Sequence, residues 1–354
     1  MRKRAVPSIT FAALVLALGS FAHGQRPPRG PVPGQRPGLS RGPAPTLADV
    51  AYAPAEPADS KGHLLDLYLP ANAGEPTPVV IWTGGSGWSG DNGKERAEVF
   101  AAELTKRGFA VAGVSIRSSS QVKFPGQLHD IKSAIRWLRS NAARYNFDPD
   151  RIAIMGASSG GWTTAIAAVT GDVPELEGTL GVTGVSSAVQ AAVAFYPPTD
   201  FLAMDRFALR PCTPNAAPGP RAAFCHDDAS SPESRLVGCA IQSCPEKVEL
   251  ANPARYISAA DPPIMILHGE SDPLVPHNQG ELLYQALSAA CRDAVFISLP
   301  RAEHGPAPQF LMNDALRAGA TIRSTKAAGC AVESSKRYTP TWGTIVDFLR
   351  TSLK

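Results

Sequence analysis

Ile152-Ala153-Ile154-Met155-Gly156-Ala157-Ser158-Ser159-Gly160-Gly161-Trp162 is the stretch whose reading decides the fold. An apolar, strand-like run meets Gly-x-Ser-x-Gly, and a helix-like segment, Trp162 to Thr170, follows. A serine on so sharp a strand-to-helix turn needs neighbours without side chains, because the backbone is cramped there. Gly156 and Gly160 meet that need. The turn would lift the Ser158 hydroxyl to the C-terminal end of a sheet. The following helix would aim its positive end and unpaired N–H groups at the same spot. The pentapeptide alone is weak, since this composition yields roughly 0.2 matches by chance. Its flanks carry the inference.

Outward from this turn, apolar β-rich runs recur at Leu64–Leu69, Pro78–Thr83, Phe109–Val114, Arg151–Met155, Ala191–Tyr196, Ile264–His268 and Val295–Leu299. Helix-period segments lie between many of them, at Lys94–Arg107, Leu128–Tyr145 and Gly280–Ala290, and Thr344–Leu353 closes the chain. Alternating strands and helices predict an α/β fold with a mostly parallel central sheet and helices on both faces. The near-continuous apolar runs Val79–Trp82 and Ile264–Leu267 fit strands buried on both sides. The alternation stops at residues 201–253, a Pro-, Cys- and Ala-rich insertion read as lid-like. A second irregular stretch, Gly319 to Pro340, is expected before the last helix.

The 354 residues divide further. Arg2, Lys3 and Arg4, the apolar stretch Val6 to Leu18, and Ala22-His23-Gly24 read as a signal peptide over residues 1–24, and the protein as secreted or periplasmic. The apolar stretch is too short for a comfortable membrane span. Residues 25–45 hold seven prolines and four arginines and read as a linker. Residues 46–354 form the catalytic domain. The formal net charge is +3, and the signal carries three cations and no acids, so the remainder sums to 0 (3 − 3). Nothing in that balance suggests nucleic-acid binding. Six cysteines in an exported chain predict disulfides, paired between neighbours as Cys212–Cys225, Cys239–Cys244 and Cys291–Cys330. No C-x-x-C spacing points to zinc.

A nucleophilic serine needs a base, an orienting acid and oxyanion donors. The loop after Ile264–Leu267 offers Glu270 and Asp272, and the loop after Val295–Leu299 offers His304. Parallel strands bring these loops to one sheet edge, in the chain order Ser, acid, His. The Gly84-Gly85-Ser86-Gly87-Trp88 loop after Pro78–Thr83 supplies bare backbone. The oxyanion donors are expected to be the N–H groups of Gly85, Ser86 and Ser159, with an ordinary Gly-rich turn as the alternative for the first two. His129, on a helix, reads as structural and His268 as loop-fixing. His226 and His277 are placed near the cleft without being selected as base. Trp88 and Trp162 are expected to flank the cleft or to pack in the core.

The chain resembles the α/β-hydrolases, and within them the bacterial secreted esterases of the bifunctional feruloyl/acetyl-xylan esterase-like group, near the hormone-sensitive-lipase-like esterases. The resemblance is carried by Val79–Gly90, Phe124–Arg139, Phe147–Gly161, Ser231–Gly238, Asn252–Tyr256 and His268–Pro276, in the family's order. It implies Ser158 as nucleophile, Asp272 rather than Glu270 as acid, and His304 as base. No metal or organic cofactor is implied. The expected substrates are short-chain acyl, acetyl or feruloyl esters, on a decorated polysaccharide or a polyester. One departure is local: Gly84 stands where the family usually has His, and Ser86 where it has Gly. A serine exopeptidase of the prolyl-oligopeptidase type and a non-catalytic ligand-binding homologue are the rival readings. The first usually carries a large N-terminal domain, which a 21-residue linker cannot supply.

Overall fold

The computed structural model describes residues 42–71, 74–171, 173–213 and 225–354. The expected signal peptide lies outside the described residues, as does the expected linker up to Arg41.

Ten strands form one sheet: β1 (Leu47–Ala51), β2 (Leu64–Tyr68), β3 (Thr77–Thr83), β4 (Ala110–Val114), β5 (Phe147–Ala157), β6 (Ala191–Phe195), β7 (Ile264–Gly269), β8 (Ala294–Leu299), β9 (Thr321–Lys326) and β10 (Ala331–Arg337). Their spatial order is β1-β2-β4-β3-β5-β6-β7-β8-β9-β10. The pairs from β4 through β8 are parallel, whereas the two outer pairs at each end are antiparallel. This is the expected α/β-hydrolase sheet.

Side-chain alternation along the strands builds two cores. Ile152 and Ile154 face one layer with the helices Gly126–Ser140, Ser159–Ala168 and Asn278–Ala289. Ala153 and Met155 face the other, with the helices Ala97–Leu104 and Trp342–Ser352. The central strands are therefore buried on both faces, which is why their sequences lack a polar face. Among the described residues no helix is long and apolar enough to cross a membrane.

The irregular stretch expected at Gly319 to Pro340 is instead the antiparallel β9–β10 hairpin that extends the sheet. All seven residues of β10 are exposed, so no inward-facing apolar residues marked it as a strand. β1 was likewise unmarked and is almost wholly exposed.

The described residues of the region 201–253 include short helical turns, among them Asp205–Phe207 and Pro232–Val237. Three disulfides join Cys212–Cys225, Cys239–Cys244 and Cys291–Cys330, as expected. The first two hold the insertion. The third fastens the β9–β10 turn beside the end of the helix Asn278–Ala289.

Candidate active site

Ser158 follows β5 directly and adopts φ 58°, ψ −126°. Few residues other than glycine enter this region, and such strain concentrates at functional sites. The turn is held from all sides. Ser158 N–H donates to Phe195 O at 3.0 Å. A Cβ on Gly156 would sit 2.2 Å from Gly160 O, and one on Gly160 would sit 2.2 Å from Thr83 O. Both glycines are therefore required by close backbone approach. The helix Ser159–Ala168 starts here, so its N-terminal dipole points at the hydroxyl.

Asp272 lies just past the end of β7 and is 1% exposed. Its Oδ1 accepts the N–H groups of Leu274 and Val275, each at 2.9 Å. Its Oδ2 lies 2.8 Å from His304 Nδ1, and His304 Nε2 lies 3.0 Å from Ser158 Oγ. Burial alone would raise the Asp272 pKa. The charge and hydrogen bond of His304, with the nearby His268, override it and hold the carboxyl well below the usual carboxylate range. His268 is fully buried, with Nε2 3.0 Å from Val275 O and 3.6 Å from Asp272 Oδ2, so it fixes this loop as anticipated. Ser158, Asp272 and His304 thus come together across 146 residues of chain.

Glu270 accepts from Ser298 Oγ at 2.6 Å and has no contact with His304 among the described residues. His277 Nε2 meets the same hydroxyl at 2.9 Å. Burial, followed by the charge of His268, lowers the His277 pKa to about 4. His129 packs against Gly178, and its buried Nε2 has no hydrogen-bond partner among the described residues. Trp162 is wholly buried, with its indole N–H on Ala251 O at 2.8 Å. Trp88 stands edge-on to it at 5.4 Å and lines the cleft.

The Gly-rich loop lies against the serine turn. A Cβ on Gly85 would sit 2.3 Å from Ala157 O and 2.5 Å from Ser158 Cβ. The three expected oxyanion donors differ in availability. Ser86 N–H already donates to Ser159 Oγ at 3.0 Å. Among the described residues, the N–H groups of Gly85 and Ser159 have no such acceptor. This arrangement was not foreseen, because a hydroxyl one residue past the nucleophile carries no sequence signal for it.

A cleft of about 620 Å³ opens over Ser158 and His304. Trp88, Leu274, Val275 and Pro306 give it apolar wall, and His226, Glu233 and Arg96 give it polar wall. Tyr196 was read only as the end of the strand-like run Ala191–Tyr196. Its ring stands edge-on to His304 at 4.6 Å, and its backbone is left-handed at φ 39°. The strained backbone puts the phenol ring behind the imidazole, a placement that no motif announces.

A parallel sheet, a strained serine between strand and helix, and an imidazole bridging that serine to a buried carboxylate define an α/β-hydrolase. The BD-FAE family model matches residues 65–287. The chain belongs to the BD-FAE family. It is 29% identical over 286 residues to Esterase LipQ of Mycobacterium tuberculosis, covering 76% of this chain and 59% of that protein. With Esterase LipC of the same organism it shares 28% identity, over 75% of this chain and 61% of that one. The chain thus spans about three fifths of the length of these relatives. Among solved structures it is similar to a truncated carbohydrate esterase from gut microbiota, at 34% identity and TM-score 0.65, over 77% of this chain and 93% of that one. It is also similar to a bifunctional GH43-CE of Bacteroides eggerthii, at 37% identity and TM-score 0.63, over 73% of this chain and 35% of that one.

Proposed function

We propose that this protein is a secreted serine carboxylic-ester hydrolase. The observation that carries the reading is the line from Ser158 Oγ through His304 to the buried Asp272, at 3.0 and 2.8 Å. His304 Nε2 takes the Ser158 proton as the oxygen attacks the ester carbonyl. Asp272 holds the Nδ1–H tautomer and stabilises the imidazolium. The N–H groups of Gly85 and Ser159 hold the oxyanion. The Ser86 amide, expected as a third donor, supports them by orienting the Ser159 hydroxyl. His304 then returns the proton to the alcohol, which leaves. Water, activated by the same imidazole, releases the acyl group from Ser158.

The acyl part is short or aromatic: acetyl, another short chain, or feruloyl. The alcohol is part of a decorated carbohydrate. The carbohydrate esterases to which the chain is similar support this choice, as does a cleft lined by both apolar and polar side chains. Export is supported by three disulfides, which persist in oxidising compartments, and by the signal-like residues 1–24. In the same reading, residues 25–45 are a linker and residues 201–253 a lid over the catalytic domain 46–354.

The test is hydrolysis of p-nitrophenyl acetate, p-nitrophenyl butyrate, acetylated xylan and a feruloyl ester by the wild type and Ser158→Ala. The wild type is expected to hydrolyse the short esters and to be labelled by a fluorophosphonate. Ser158→Ala is expected to lose both properties while keeping its circular dichroism. Undiminished hydrolysis by Ser158→Ala sinks the mechanism.

A further inference from the structure

The end of β6 touches the three segments that carry Ser158, Asp272 and His304. β6 lies in the sheet between β5, which leads to Ser158, and β7, which leads to Asp272. The Phe195 carbonyl accepts the Ser158 N–H at 3.0 Å, and the Tyr196 N–H donates to Leu267 O of β7 at 2.7 Å. The Tyr196 ring reaches the third segment. It stands edge-on to His304, with 4.6 Å between centroids and 63° between planes.

This placement is strained. The Tyr196 backbone is left-handed at φ 39°, a conformation that glycine enters freely and a bulky residue rarely does. The residue is buried although it lines the cleft. A large side chain kept where glycine would relieve the backbone points to a use for that side chain.

The surroundings name the use. Both nitrogens of His304 are committed, Nδ1 to Asp272 and Nε2 to Ser158. Hydrogen bonds tolerate some bending, so two of them leave the imidazole room to tilt. The His304 side chain is 16% exposed and lines the cleft, so packing does not enclose it on every side. The carbons of an aromatic ring neither donate nor accept a conventional hydrogen bond. Their contact therefore steadies the imidazole without competing with Asp272 or Ser158. Behind the tyrosine, Phe310 of the helix Gln309–Met312 and the buried His268 are further ring neighbours, at 5.5 and 6.5 Å. Phe310 is itself buried, so the tyrosine ring yields little.

We infer that Tyr196 is a positioning residue: its ring, backed by Phe310, keeps the His304 imidazole from tilting away from Ser158 and Asp272 while the proton passes from Ser158 to His304 and on to the leaving alcohol. This rests on the reading of Ser158, His304 and Asp272 as a catalytic triad. The ring acts through His304 and takes no part in bond making.

The experiment uses the full chain. It measures kcat and KM for p-nitrophenyl acetate, the rate of fluorophosphonate labelling, and the low-field proton resonance of the His304–Asp272 hydrogen bond. Tyr196→Leu removes the ring. It is expected to lower kcat about 10- to 100-fold, to leave KM within about twofold, and to slow labelling in proportion. Its low-field resonance is expected to broaden or vanish, as the loosened imidazole exchanges its proton with water. Tyr196→Phe keeps the ring and is expected to recover most of the lost kcat and the resonance. Phe310→Leu leaves the left-handed residue untouched and removes its backing. It is expected to lower kcat by about three- to tenfold at unchanged KM. The inference is overturned by a Tyr196→Leu as fast as the wild type, by a change confined to KM, which marks a substrate contact, or by a Tyr196→Phe as slow as Tyr196→Leu, which assigns the effect to the hydroxyl. If Tyr196→Leu does not fold, Phe310→Leu decides, and an unmoved kcat there overturns the inference. An active Ser158→Ala fails the triad reading and this inference with it. An inactive Ser158→Ala beside a fully active Tyr196→Leu fails this inference alone.

Discussion

His304 Nδ1 and Asp272 Oδ2 lie 2.8 Å apart, while the other Asp272 oxygen is committed to the amides of Leu274 and Val275. The carboxylate can neither rotate nor exchange oxygens without breaking backbone contacts. It presents one lone pair to one imidazole nitrogen, which fixes both the tautomer and the ring direction.

Asp272→Asn leaves the shape and removes the charge. An amide NH₂ or a wrong tautomer then faces Nδ1, so kcat for p-nitrophenyl acetate is expected to fall about 10,000-fold. Glu270→Gln, two residues away, loses only a contact with Ser298 and is expected to keep kcat within a few-fold. Equal losses in the two variants would exchange their roles.

Gly85→Ala tests the close approach of the oxyanion loop. The added methyl meets Ala157 O and Ser158 Cβ at 2.3 and 2.5 Å, so either the loop or the serine turn must move. Displacement of this size costs about 100-fold in kcat when catalytic groups are misplaced. Kinetics together with near-UV circular dichroism check it: full activity in the folded variant would show that the loop yields without consequence.

Acid stability has a separate source. Burial and the neighbouring His268 depress the His277 pKa from 6.5 to about 4. The unfolded chain therefore takes up a proton that the folded protein refuses. The stability due to neutral His277 is complete above pH 6.5 and is lost as pH falls toward 4. Urea denaturation at intervals between pH 8 and pH 4 should show this slope in the wild type and a shallower one in His277→Gln. Parallel curves would remove His277 as the cause.

Neither Cys291 nor Cys330, joined by the third disulfide, lines the cleft. Cys291→Ser with Cys330→Ser is expected to cost about 2–4 kcal/mol of unfolding free energy, chiefly by freeing the unfolded chain. Hydrolysis of p-nitrophenyl acetate should stay within about twofold at 25 °C. A large loss of kcat without a loss of stability would instead tie the hairpin to the site.

The legible part of this fold was the part with strong local signals. The strands β2 to β8 announced themselves through β-branched apolar runs, because each is buried on at least one face. β10 did not, because Glu333, Lys336 and Arg337 sit on an exposed edge where no core selects apolar residues. Neighbour pairing of cysteines was readable because short loops bring such sulfurs together at low entropic cost.

Taken alone, the sequence determined the α/β alternation, the Gly156–Gly160 turn, and a serine, an acid and a histidine in an order that parallel strands bring to one edge. The family resemblance already favoured Asp272 over Glu270; the tertiary structure supplied the physical difference, turning Asp272 onto His304 and Glu270 onto Ser298. It alone committed the Ser86 amide to Ser159, placed the Tyr196 ring against His304, and brought His226 onto Glu233. Local propensities act over a few residues, whereas the direction of a side chain inside a cleft is set by packing among segments dozens to hundreds of residues apart.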